Sequence, residues 1–97
     1  MGLQNKRDLV LNELNKNDID LCCLQETELG PNYPTNILSS SDFELEVEDN
    51  DIKKRVGIYI NTRIKYMRRL DLEERNTHLI IIDLMLESKI RIITLYR

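Results

Sequence analysis

Glu26 stands where an apolar run, Ile19-Asp20-Leu21-Cys22-Cys23-Leu24-Gln25, gives way to a polar stretch. In sheets of the α/β kind, ligands gather beyond the carboxyl ends of strands. A carboxylate fixed there can hold Mg2+, which keeps several of its waters and takes substrate-phosphate oxygens as further ligands. Spacing alone does not require this, because most exposed carboxylates are simply solvated. Tyr96 closes the last apolar run, where by itself it reads as a ring packed on the core with its hydroxyl in water. His78, the only histidine, precedes another apolar run. A general base needs hydrogen-bond reach to a nucleophile and an orienting partner, and without either it reads as a residue leading into a strand.

Cys22 and Cys23 are adjacent, so strand geometry sends them to opposite faces and disfavours a disulfide between them. They read as small buried hydrophobes of a reducing compartment, and an intracellular setting, nucleus or cytoplasm, is the corresponding expectation. The net charge of −3 gives no general attraction to nucleic acid. Local basic residues, Lys53, Lys54, Arg55, Arg63, Lys65, Arg68 and Arg69, could contact a phosphate backbone if they converged on one groove. Tyr66 alone does not make a stacking platform among them.

These groups need elements to position them, and 97 residues suit one small domain with a modest core. A helix is expected over 6–16, capped by Asn5 and followed by Asn17 in the left-handed C-terminal position. Val10, Leu11 and Leu14 form its apolar face, with Leu9 at the margin. The run 19–25 is short and nearly continuous, which fits a strand covered on both faces. Residues 26–42 contain both prolines, Gly30 and Ser39–Ser41, and read as a long loop.

Strict alternation over 43–48 puts Phe43, Leu45 and Val47 on one face and Glu44, Glu46 and Glu48 on the other, a half-exposed strand. A charged turn over 49–54 leads to a second alternating strand over 55–61, together a hairpin. A short strand falls within 64–72 and a turn over 73–77. The Ile- and Leu-rich segments 79–86 and 90–96 pair antiparallel as central strands. The longest apolar stretches are far short of the roughly 20 residues of a membrane span, and no secretory leader is visible. One helix before mostly β-structure means an α+β or mixed α/β arrangement.

The run Leu24-Gln25-Glu26-Thr27, after Asp18-Ile19-Asp20-Leu21, resembles the Leu-Gln-Glu-Thr signature of the endonuclease/exonuclease/phosphatase superfamily, especially apurinic endonucleases and the endonuclease domains of non-LTR retrotransposons. Gly2-Leu3, Val56-Gly57-Ile58-Tyr59-Ile60 and Arg91-Ile92-Ile93-Thr94-Leu95-Tyr96-Arg97 are similar to later family segments in order and approximate spacing. The resemblance spans nearly all of residues 1–97. It implies an N-terminal half of a four-layered α/β sandwich, with one helix and a mostly antiparallel mixed sheet, lacking the family's first strand and C-terminal half.

It further implies Glu26 as the ligand of Mg2+, or of Mn2+ in its place, with Gln25 and Thr27 in support. Tyr96 would face the phosphate as a catalytic group, and DNA would be the full family's substrate. Phosphomonoesters or lipid phosphates are alternative substrates within the superfamily. The family's Gly-Asp-x-Asn and Ser-Asp-His segments have no counterpart here, so the expected activity of these residues alone is negligible and their Mg2+ affinity weak. The rival expectation is a non-catalytic module that pairs with itself or a partner through exposed sheet edges.

Overall fold

The structure is a computed structural model and describes residues 2–30, 33–49, 53–74 and 77–96. Parts of the expected loop over 26–42 and of the turns over 49–54 and 73–77 lie outside the described residues. Helix α1, Arg7–Lys16, buries Leu11 and Leu14 and leaves Leu9 63% exposed. Asp8 in its first turn and Lys16 in its last complement the helix dipole.

The expected caps are not the ones used. Asn5 belongs to a 3₁₀ turn, Leu3–Asn5, that runs into the helix, and no side chain caps the helix N-terminus. At the other end Asn17 has φ −100°, and Asp18, with φ 54°, takes the left-handed position. Asn17 instead turns its amide back to donate to the Glu13 carbonyl at 2.9 Å.

Two three-stranded antiparallel sheets follow, giving an α+β fold. Sheet A has the order β1-β3-β2, with β1 Leu21–Leu29, β2 Phe43–Val47 and β3 Lys54–Asn61. Sheet B has the order β4-β5-β6, with β4 Tyr66–Arg68, β5 Leu79–Leu84 and β6 Ile90–Leu95. Alternation along β3 supplies both cores. Tyr59 joins Leu11, Leu14, Leu29, Leu38 and Phe43 on the helix side. Val56, Ile58 and Ile60 meet Ile80, Ile82 and Leu84 of β5 on the other. The order of layers is therefore helix, sheet A, sheet B. No helix among the described residues is long and apolar enough to cross a membrane.

Both expected hairpin pairings form, with Leu45 opposite Tyr59 and Ile82 opposite Ile92. Three positional expectations are corrected. The central and most buried strand of sheet A is β3, and β1, expected to be covered on both faces, lies at an edge with Cys23 exposed. Strand β6, expected to be central, is an edge strand with Ile93 61% and Leu95 52% exposed.

The acidic face along β2 is only partly exposed: Glu44 stays exposed, whereas Glu46 and Glu48 are met by sheet B and the residue leading into β5. The Tyr66 hydroxyl donates to Glu46 at 2.6 Å and Arg68 donates to Glu46 at 2.9 Å, while Glu48 is 1% exposed. Alternation correctly separated the two faces, but Glu46 is satisfied by Tyr66 and Arg68 and Glu48 by the Val56 N–H and His78, which leaves only Glu44 exposed.

Candidate functional site

Strand β1 does not stop at Gln25 as expected. It continues to Leu29, and the pairing Gln25↔Val56 is followed by Leu29↔Lys54. Thus β1 advances four residues while β3 retreats two, leaving two extra residues in β1. Such bulges re-aim side chains at sheet edges. Here Glu26 and Glu28 have φ 55° and 56°, uncommon for residues with a Cβ.

The neighbours of Glu26 tie it to both sheets. Gln25 donates from Nε2 to the Leu95 carbonyl of β6 at 3.2 Å. Thr27, 2% exposed, donates from Oγ1 to the Lys54 carbonyl of β3 at 2.5 Å. Glu26 itself is exposed and borders a cleft of about 180 Å³ against Leu3, Lys6, Val10 and Leu24.

Tyr96 follows β6 and reaches the same place. Its hydroxyl donates to Glu26 Oε1 at 3.2 Å, across 70 positions of sequence. It also accepts from Arg55 at 3.4 Å, and the Arg55 guanidinium carbon lies 5.3 Å from the centre of the tyrosine ring. Arg55 bonds Glu28 at 3.2 Å, and Lys53 reaches the other Glu28 oxygen at 2.5 Å. The Lys53 hydrogen bond first, with the charges of Lys53 and Arg55, holds the Glu28 carboxyl below its ordinary range. Glu28 is therefore a charged anchor for two cations, whereas Glu26 meets a neutral hydroxyl.

His78 also belongs to this cluster, although its sequence position suggested only a strand start. Its Nδ1 lies 2.5 Å from Glu48 Oε1, and its ring meets Tyr96 edge-to-face with centroids 5.7 Å apart. With Glu48 as a carboxylate its oxygen only accepts, which assigns the donor role in this pair to Nδ1.

Glu28 and Glu48 are missed as site residues in the sequence, and Arg55 figures there only as one of several possible phosphate-backbone contacts, not as a partner of Tyr96. The one available signal was Glu48, the last acid of an alternating strand. The partners of Glu28 and Arg55 depend on the β1–β3 register and its two extra residues, which no local pattern encodes.

Among the described residues, no three His, Cys, Asp or Glu side chains gather as a metal cage. Asp20, at the far end of β1, pairs with Arg63 at 2.6 Å. Asp83 is held by Arg69 and Arg91, each at 2.7 Å. Neither joins Glu26. A lone exposed carboxylate fits Mg2+ in an open site that keeps its waters, and does not fit a preformed all-protein cage.

The arginines among the basic residues are engaged by separate acids. Arg63 pairs with Asp20, Arg68 with Glu46 and Glu73, Arg69 with Asp71 and Asp83, and Arg55 with Glu28. Compared with family models, curated proteins and solved structures, the chain matches none.

Proposed function

We propose that this chain carries part of a Mg2+-dependent phosphodiester-hydrolysing site of the endonuclease/exonuclease/phosphatase kind, acting on nucleic acid inside the cell. The supporting observation is the meeting of Glu26 and Tyr96, 70 positions apart in sequence, with hydroxyl and carboxylate 3.2 Å apart at the rim between two sheets. In this reading Glu26 is the metal ligand and Tyr96 the phosphate-facing donor. Mg2+ or Mn2+, when bound, would supply charge stabilisation for an oxygen of the phosphoester. Tyr96 would turn its proton from Glu26 to a phosphoryl oxygen, with Arg55 holding the phenol oxygen from the other side. In this reading the helix, sheet A and sheet B would be three layers of a four-layered sandwich, and the fourth would cover the outer face of sheet B.

With one carboxylate to hold the metal, and His78 already engaged with Glu48 and Tyr96, these residues should bind Mg2+ on the order of millimolar and hydrolyse DNA undetectably by themselves. The test is titration calorimetry with MgCl2, together with a supercoiled-plasmid nicking assay, on the parent and Glu26→Gln purified identically. Weak binding that disappears in the variant supports the reading. Binding unchanged by the substitution would remove Glu26 as the ligand, and nicking by the parent alone would show that this chain suffices for catalysis.

A second reading, a module that pairs through sheet B, is favoured by one observation. Met67, Ile93 and Leu95 are 54%, 61% and 52% exposed on the same sheet. Light scattering after size-exclusion chromatography separates the readings, since a sharp monomer at high concentration removes self-pairing.

A further inference from the structure

We propose that His78 is a positioning residue for Tyr96, and that the buried carboxylate of Glu48 sets it. The inference deepens the proposed function by identifying what aims the phosphate-facing hydroxyl. Glu48 follows β2 and its side chain is fully buried, at 0% exposure. Both of its oxygens are used: Oε2 accepts the Val56 backbone N–H at 2.9 Å, and Oε1 faces His78 Nδ1 at 2.5 Å. A carboxylate bound to the central strand of sheet A therefore dictates where an imidazole on sheet B lies.

His78 in turn holds Tyr96 at two levels. Its carbonyl accepts the Tyr96 N–H at 2.9 Å, which fixes the backbone. Its ring meets the phenol ring at an interplanar angle of 85°, an arrangement favoured by the aromatic quadrupoles. A tyrosine after the end of an edge strand would otherwise sample several rotamers, at an entropic cost to any ligand that needs one of them. The Arg55 guanidinium over the ring adds a second restraint, anchored by Glu28. Two carboxylates thus act through two cationic or aromatic groups on one ring. The hydroxyl is left aimed at Glu26.

A purely structural histidine would matter only as the partner of buried Glu48, and the two roles can be separated. In His78→Asn the side-chain amide keeps a donor near the Nδ1 position but removes the ring. In His78→Phe the ring remains but the donor is lost. The experiment uses the whole chain with 13C,15N-labelled tyrosine, without ligand, and reads the Tyr96 χ1 populations from three-bond couplings beside the thermal melt.

The parent should show one dominant rotamer. His78→Asn should melt close to the parent yet distribute Tyr96 over several rotamers. Tyr96 remaining in one rotamer in that variant overturns the proposal. Should His78→Asn not fold, His78→Phe answers instead: averaging of Tyr96 supports setting by Glu48, and a fixed Tyr96 refutes it.

Inorganic phosphate with MgCl2 is then titrated into the parent and His78→Asn, with the Tyr96 ring signals as the probe. A weakening of about two- to ten-fold is expected from the loss of an aromatic pair. Absence of any phosphate or Mg2+ response in the parent would sink the proposed function while leaving the rotamer result, and hence the positioning role, standing.

Discussion

Sheets A and B each have three antiparallel strands, yet they are stabilised differently. Sheet A is packed on both faces: its central strand has Val56, Ile58, Tyr59 and Ile60 at 0–1% exposure. Sheet B is packed on one. Ile80, Ile82 and Leu84 turn to sheet A, while the other side of β5 pairs Asp83 with Arg91 and Ile81 with Ile93. Burial of apolar area fixes sheet A, whereas on its outer side sheet B depends on a carboxylate held between arginines. The two modes respond to different perturbations, namely side-chain volume for one and pH for the other.

The strongest way to break sheet A is to hollow its helix-side core. Phe43, 1% exposed, packs edge-to-face on Tyr59 with centroids 6.4 Å apart. Phe43→Ala should cost about 3–5 kcal/mol, measured by urea unfolding, a large fraction of the stability of a small domain. A loss below about 1 kcal/mol would show that the helix-side core is less closely packed than described.

Adding volume should cost less than removing it. A methyl group on Gly57 would lie 3.3 Å from both the Glu46 carbonyl and Leu45 Cδ1, and 3.4 Å from Thr27 Cγ2. Gly57→Ala should cost about 1–3 kcal/mol by overpacking, read in the same unfolding experiment. Tyr59→Phe, which strips the 2.8 Å bond to the Leu38 carbonyl, should cost about 1 kcal/mol and tests whether the 3₁₀ turn Thr35–Leu38 is pinned by that hydroxyl.

Acid should act on sheet B. The Arg91 hydrogen bond first, then Arg69, holds the Asp83 carboxyl far below its ordinary range, against the opposing effect of burial. A depressed folded pKa contributes stability that is present above the unfolded value of about 3.9 and is lost as pH falls below it. Melts followed from pH 5 to pH 2 should therefore show a decline that is shallower in Asp83→Asn. Parallel curves would remove Asp83 as a source of acid sensitivity. The smallest effect is expected on the open face: Ile93→Ala, at a residue 61% exposed, should change monomer stability by no more than about 0.5 kcal/mol.

The sequence made the elements legible more readily than their neighbours. The helix, both hairpin pairings and the two faces of β2 follow from apolar periodicity, a property of adjacent residues. Which strand is central does not. The run 19–25 appeared the most buried yet forms an edge, because centrality depends on which strands flank it. The site shows the same division. Glu26 and Tyr96 stand at the ends of apolar runs, but it is the resemblance of their segments, not their spacing, that singles them out. Glu48 and Glu28 do not stand out, and Arg55 does so only as one of several basic residues, since their partners lie across sheets or across a register shift of two residues.

The left-handed backbone of Glu26 and Glu28 within β1 makes the proposed function and stability separable at one position. Glycine adopts φ near +55° without the Cβ clash that costs other residues roughly 1 kcal/mol. Glu26→Gly should therefore leave the fold as stable as the parent or more so, while erasing the charge at the Tyr96 hydroxyl. In a stability-only selection of random variants, glycine and asparagine should accumulate at 26 and 28, against the usual preference for β-formers in a strand. A screen that demands ligand binding should keep glutamate at 26. Position 28 should keep it only so far as the Arg55 anchor matters, which gives each carboxylate its own substitution profile.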